Sequence, residues 1–176
     1  MTPGASARVL DLRSVFGVEA RVTTPAASTG GAYVEMDCTV APGSATMIHY
    51  HPEQEETYRV LEGTLEVFLD DRWRSVAPGE SLTVPRGSVH GFRNASGAPA
   101  RFLNVHRPAL RFQEHLETID RLARAGKVRG TKDLRSLIYL SMSGVEHRPD
   151  VPVRPPFWVL KLLAGLGRAL GYRLDP

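Results

Sequence analysis

Residues 43–63 read GSATMIHYHPEQEETYRVLEG, and residues 79–94 read GESLTVPRGSVHGFRN. Both are β-rich runs bounded by glycine, and their chemistry lies in three histidines and a glutamate. His49 and His51 are two residues apart in a strand. Period-two alternation puts both imidazoles on one face, about 6.6 Å apart at Cα. Glu56 follows across a proline-containing bend at the start of the next strand, and His90 comes just after the turn PRGSV. Three imidazoles and a carboxylate combine borderline nitrogen donors with one hard oxygen donor. That set suits one divalent transition metal, Fe(II), Mn(II), Ni(II), Co(II) or Zn(II), and disfavours Ca(II). Such an ion accepts more than four ligands, which leaves positions for substrate, water or dioxygen.

Working outward, the same texture continues on both sides. The runs at 33–40, 45–50, 56–63, 64–69, 73–76, 80–85, 90–94 and 100–106 are β-rich. Breakers at Ala41-Pro42-Gly43, Asp70-Asp71, Pro78-Gly79, Pro85-Arg86-Gly87 and Ser96-Gly97 separate them. Many short strands at this spacing predict an antiparallel sandwich or barrel. Upstream, Arg8 to Leu12 reads as a short strand, and Thr23 to Gly31 as a loop.

After Pro108 the period becomes helical. Phe112, Leu116, Ile119, Leu122 and Ala123 share a face, with acids early and bases late, which suits the helix dipole. A second helix is expected from an N-cap at Thr131 to Met142, ended by Gly144. An extended connector follows at 147–156, then an apolar helix at 157–172. In that helix Phe157, Trp158, Leu162, Leu163 and Leu166 are the expected packing anchors, and Gly167 permits close approach of another helix.

The two quoted stretches resemble the paired motifs of the cupin superfamily. Gly43, His49, His51, Glu56 and Gly63 match the first; Gly79, Pro85, Gly87, His90 and Asn94 match the second. The resemblance covers 43–94 and implies an all-β fold: a cupin double-stranded β-helix (jelly-roll) barrel, here with a C-terminal α-helical extension. The expected organisation is an N-terminal strand and loop over 1–30, the barrel over 31–108, and a helical extension over 109–176 packed on the barrel or a dimer partner. The resemblance also implies a metal-dependent enzyme acting on a small organic molecule. A dioxygenase (an oxidoreductase) is favoured over an isomerase, cyclase or decarboxylase, and over a non-catalytic binding cupin.

Other residues are read more plainly. Tyr58 shares strand parity with Glu56 and is a candidate catalytic group, with core packing as the simpler reading. His106 is a second candidate, although a position at the surface or facing the tail is the expectation. Met47 and Phe92 should line the pocket beside His49 and His90. Glu53, Gln54 and Glu55 read as a solvated loop, and the spacing to Gly63 selects Glu56 over Glu55 as ligand. His115 and His147 fall outside the barrel and carry no signal.

Composition narrows the rest. The chain has 176 residues, 42% hydrophobic and 23% charged, which fits a globular domain and excludes wholesale disorder. Basic residues number 22 and acidic 19, with no basic run, so no nucleic-acid partner is expected. The single cysteine, Cys38, fits a reducing compartment. The first ten residues lack a signal-peptide core, and no stretch reaches membrane-spanning length, so a cytoplasmic location without membrane insertion is expected. No Lys/Arg cluster beside the motifs would hold a sugar phosphate. Exposed sheet edges and the apolar last helix predict a homodimer.

Overall fold

Alternation of buried and exposed side chains builds most of the strands. In β3 (Val34–Val40), Val34, Met36, Cys38 and Val40 point inward; in β10 (Ala100–Arg107), Ala100, Phe102, Asn104 and His106 do. The computed structural model describes residues 8–148 and 151–175. The opening residues read for a signal peptide, and part of the 147–156 connector, lie outside them.

Among the described residues two antiparallel sheets form. The first joins β1 (Val9–Leu12), β2 (Val18–Thr24), β3, β10, β5 (Glu55–Glu62) and β8 (Ser81–Val84), in the order β1-β2-β3-β10-β5-β8. The second joins β4 (His49–Tyr50), β6 (Leu65–Leu69), β7 (Arg72–Val76), β9 (His90–Arg93) and β11 (Val151–Pro152), in the order β11-β4-β9-β6-β7. The expected jelly-roll barrel is therefore present. The predicted 45–50 strand shrinks to two residues, with one isolated bridge from Ala45 to Arg93. Strand β2 lies where the sequence reading placed no strand. Its register against β3 sets Ala20 opposite Cys38 and Val22 opposite Met36, so it widens the first sheet. Between β1 and β2 the chain makes one helical turn, α1 (Arg13–Phe16).

Two motif residues show why the turns take this form. Gly63 has φ +71°, and a Cβ there would stand 2.7 Å from the Pro99 carbonyl oxygen, so neither conformation nor space admits a side chain. Asn94 is fully buried; its amide donates to the Val40 and Ala98 carbonyls, and its Oδ1 accepts from Ser96. It ties the end of β9 to the end of β3 and to the turn before β10.

Helix α2 (Phe112–Arg124) sits on the first sheet. Phe112 and Ile119 join the barrel core, and buried Asp120 accepts from the Asp11 backbone N–H and the Arg124 guanidinium. Gln54, read as a solvated loop residue, is instead 1% exposed. Its amide donates to the Pro108 and Ala109 carbonyls, which moors the start of the tail to the loop carrying His51.

Helix α3 (Leu134–His147) starts at Asp133 rather than Thr131, because the Asp133 carboxylate accepts from the N–H groups of Arg135 and Ser136. It also runs through Gly144, which is buried with Leu160 against it. Helix α4 (Phe157–Ala169) packs on α3: a Cβ at Gly167 would meet Ile138 at 2.5 Å and Met142 at 2.6 Å. Of the expected anchors, Leu163 joins this cluster, while Trp158, Leu162 and Leu166 face outward with Leu170. These four recur every fourth residue and form a single exposed stripe. No described helix is long and apolar enough to cross a membrane.

Candidate metal centre

His49, His51, Glu56 and His90 come together. One ligand atom from each lies within 4.8 Å of every other, and all four side chains are buried. Strand pairing does the positioning: His49 pairs with His90 across β4 and β9, while Glu56 is presented by β5 from the opposite sheet. Ring centroids are 4.9 Å apart for His49 and His51, 4.4 Å for His49 and His90, and 5.0 Å for His51 and His90.

The tautomers suit a cation. Nδ1 of His49 is 2.8 Å from the Met47 carbonyl oxygen, and Nδ1 of His90 is 2.8 Å from that of Ser88. Each carbonyl accepts from Nδ1–H, which leaves Nε2 as the inward-facing lone pair. His90 Nε2 lies 2.7 Å from Glu56 Oε2, and His51 Nε2 lies 3.1 Å from the same oxygen. Nε2 of His90 thus faces a carboxylate oxygen at hydrogen-bond distance, and either a proton donated from that nitrogen to Glu56 or a cation between the two satisfies both. The residues present therefore fit a divalent metal, with Glu56 Oε2 as the oxygen donor.

The other carboxylate oxygen is held separately. Glu56 Oε1 accepts from the Asn104 amide at 2.8 Å, and His106 Nε2 lies 3.4 Å away. The same His106 nitrogen is 2.8 Å from Asn104 Oδ1. The β10–β5 register explains this, since it sets His106 opposite Glu56 and Asn104 opposite Tyr58. Burial raises the Glu56 carboxyl. The positive field of His106 and the hydrogen bonds from His51 and His90 outweigh it, holding the group well below the ordinary carboxylate value.

This direction sets a pH dependence. A depressed carboxyl contributes stability above its unfolded value of about 4.5, and that contribution is lost as pH falls through the lower folded value. In metal-stripped protein, Glu56→Gln should therefore flatten the acid limb of the stability curve relative to wild type. Urea midpoints measured from pH 6 down to about pH 3 would show it. Parallel acid limbs would contradict it.

His106 is thus not at the surface. It is 1% exposed, inside the barrel, because it continues the inward parity of Phe102 and Asn104. Its ring stacks on Phe112 of α2 at 3.5 Å. Tyr58 is fully buried among Phe92 and Phe102, at 5.8 Å from each ring. Burial, then the charges of Asp37 and Glu56, pushes the Cys38 thiol far up.

A cavity of about 520 Å³ opens from the tetrad. Phe92 and Met47 border it as expected, with Tyr58, Phe102, Asn104 and His106. Beyond the barrel it is walled by the tail, through Phe112, Leu116 and Ile119 of α2, Leu137 and Leu140 of α3, and Leu160 and Leu163 of α4. Among its lining residues there is no Lys or Arg. His115, which carried no signal in the sequence, also borders it, because it lies one turn after Phe112 on the same helix face. The signals that were available were parity in β10 and the three-residue spacing in α2.

Fold and site together define a jelly-roll barrel with a buried His-His-Glu-His cluster that could hold a metal ion. Residues 36–106 match the family described as the Cupin domain, and that segment belongs to the cupin superfamily. It is 37% identical over 81 residues to protein SchB of Streptomyces halstedii, an overlap of 46% of this chain and 56% of SchB. It is 29% identical over 73 residues to quercetin 2,3-dioxygenase of Bacillus subtilis, covering 42% of this chain and 22% of that enzyme. The structure of the polyketide cyclase RemF from Streptomyces resistomycificus superposes with a TM-score of 0.52 at 28% identity, covering 61% of this chain and 80% of RemF. The chain thus spans little more than half of SchB and a smaller part of the dioxygenase.

Proposed function

We propose that this chain is a metal-dependent enzyme that converts an apolar, oxygen-bearing small molecule, with ring closure as its reaction. The observation that carries this is the cavity, a largely apolar space onto which His49, His51 and Glu56 of the tetrad open. A phosphorylated sugar would find no Lys or Arg along these walls, whereas a phenolic or enolic molecule would find its oxygen directed to the tetrad. The likeness to RemF, which extends over most of that protein, supports ring closure over the other cupin reactions.

Bound at the tetrad, Fe(II), Mn(II), Ni(II) or Zn(II) would supply Lewis-acid polarisation of a substrate oxygen. The chain's own groups do the rest. Asn104 holds Glu56 in one rotamer through Oε1, leaving Oε2 to the tetrad. His106 Nε2, beside Asn104 Oδ1 and Glu56 Oε1, is placed to hold a proton next to the reacting oxygen. Tyr58, Phe92 and Phe102 form an aromatic floor, and the tail helices exclude water.

Oxygenation is the second reading. It rests on the positions that four ligands leave for dioxygen and on the likeness to the quercetin dioxygenase. Reconstitution separates the two. Protein loaded in turn with Fe(II), Mn(II), Ni(II) and Zn(II) is offered quercetin and a linear poly-β-ketone, in air and under argon. Ring closure without oxygen uptake, unchanged under argon, supports the first reading. Stoichiometric oxygen uptake that argon abolishes overturns it in favour of the second. The division into an N-terminal strand and loop, a barrel and a helical extension is kept as a proposal, and so is a homodimer sealed along the outer stripe of α4.

A further inference from the structure

We propose that Phe112, the first residue of α2, is a positioning residue of the metal centre: its ring holds the imidazoles of His106 and His51 from the tail side, so the donor set of the barrel is complete only with the helical extension in place. The inference rests on the metal reading of the tetrad above but concerns a residue beyond the segment shared with the family, which ends at 106.

Ring geometry carries it. Phe112 is buried, belongs to the barrel core and borders the cavity. Its ring lies against that of His106, with centroids 3.5 Å apart and planes within 22° of parallel. The same ring meets His51 at 6.0 Å and 88°. His51 and His106 are themselves 5.1 Å apart at 85°, so the three rings form one packed set. A face laid flat on an imidazole restricts its plane, and a ring at right angles restricts the neighbour's edge.

Through these two rings Phe112 reaches two of the four donors. His51 is a donor itself. His106 acts on Glu56: its Nε2 lies 2.8 Å from Asn104 Oδ1 and 3.4 Å from Glu56 Oε1, and the Asn104 amide donates to that same Oε1. A His106 ring able to swing would release Asn104, and with it the Glu56 rotamer that presents Oε2. Phe112 is in turn tied to the loop that follows His51. The Ala109 carbonyl oxygen accepts from the Phe112 backbone N–H at 3.2 Å and from the Gln54 amide at 2.9 Å.

The test uses the full chain titrated with Co(II), whose visible absorption bands follow ligand geometry. Phe112→Leu should weaken Co(II) binding about tenfold, the low end of the loss that follows removal of a group orienting a ligand, and should shift the bands. Phe112→Met, similar in volume but without a ring, should match it. Phe112→Tyr, which keeps the face, should restore affinity and spectrum. Ile119→Ala is the structural control. Ile119 is buried on the same helix, in the same core and cavity wall, so its loss should lower the melting midpoint and leave Co(II) affinity and bands unchanged. Wild-type affinity and bands in Phe112→Leu and Phe112→Met overturn the inference, and so does an equal change in Ile119→Ala. A second readout needs no metal: exchange of the Asn104 side-chain amide protons, followed by NMR in metal-free protein. It should quicken in Phe112→Leu and stay slow in Phe112→Tyr and Ile119→Ala; equal exchange in all of them overturns the inference. If wild type binds no Co(II), the metal reading of the tetrad falls, and the Asn104 exchange alone decides whether Phe112 orders His106.

Discussion

Replacing His90 by alanine is expected to lower divalent-metal affinity by more than about 100-fold, beyond the roughly 10–100-fold that follows loss of a group that merely orients a ligand. His90 is fully buried, its Nδ1 faces the Ser88 carbonyl, and its Nε2 faces the oxygen that would bind the ion. His49→Ala should behave alike. Glu56→Gln should cost less, since it keeps an oxygen donor at Oε1 or its amide counterpart and loses the charge. The barrel should remain folded in each case, because its core is aliphatic and aromatic and does not include the ion. Elemental analysis after reconstitution, paired with melting curves, checks this. Wild type should gain thermal stability on adding Zn(II) or Mn(II), by mass action on the folded state. His90→Ala should gain none. If reconstituted wild type carries no stoichiometric metal, the enzyme reading fails and a metal-free binding barrel replaces it.

A chain ending at Arg154 is expected to melt roughly 10–20 °C lower than the full chain. Helix α4 contributes Leu160, Leu163, buried Ala164 and the close seat of Gly167 on Ile138 and Met142. Exposing that surface should cost about 4–6 kcal/mol, at 1.5–3 kcal/mol for a fully buried side chain and less for a partly buried one. For a chain of this size each kcal/mol moves the midpoint by about 2–4 °C. The same truncation removes Trp158, Leu162, Leu166 and Leu170, the stripe assigned to the dimer seam. Sedimentation should therefore give twice 19.3 kDa for the full chain and a monomer for the shorter one. A full chain at 19.3 kDa at micromolar concentration removes the dimer proposal, and an unchanged melting midpoint removes the packing claim.

Much of the barrel was legible because strands of a half-buried sheet alternate with period two and end at residues with special backbone needs. The two motifs could be read in register because their glycines, Pro85 and the four polar residues stand at spacings that a strand–turn–strand geometry imposes. Strand β2 was missed because its inward set, Val18, Ala20 and Val22, is short and runs into a Thr/Ser/Ala/Gly-rich stretch that hides the alternation. The sequence reading places the cap of α3 at Thr131, two residues before Asp133, and both are good N-cap types. Only the folded chain shows which carboxylate reaches the free N–H groups. Gly144 read as a stop because glycine is costly in a helix interior, yet the helix runs on through it to His147.

The candidate site divides in the same way. The residue types and spacings of His49, His51, Glu56 and His90 specify donors that converge wherever the chain forms the barrel, so the ligand set could be named from local pattern alone. The roles of Asn104, His106, Phe112 and His115 could not. Their meaning depends on which strand pairs with β10, on the loop at Gln54 mooring the tail, and on the way α2, α3 and α4 roof the cavity. These are contacts between residues far apart in the chain, set by packing and hydrogen bonding after the local elements exist, and local periodicity carries no record of them. The sequence by itself determined a barrel and four converging donors; the tertiary structure alone made the tail part of the cavity and set His115 in its wall.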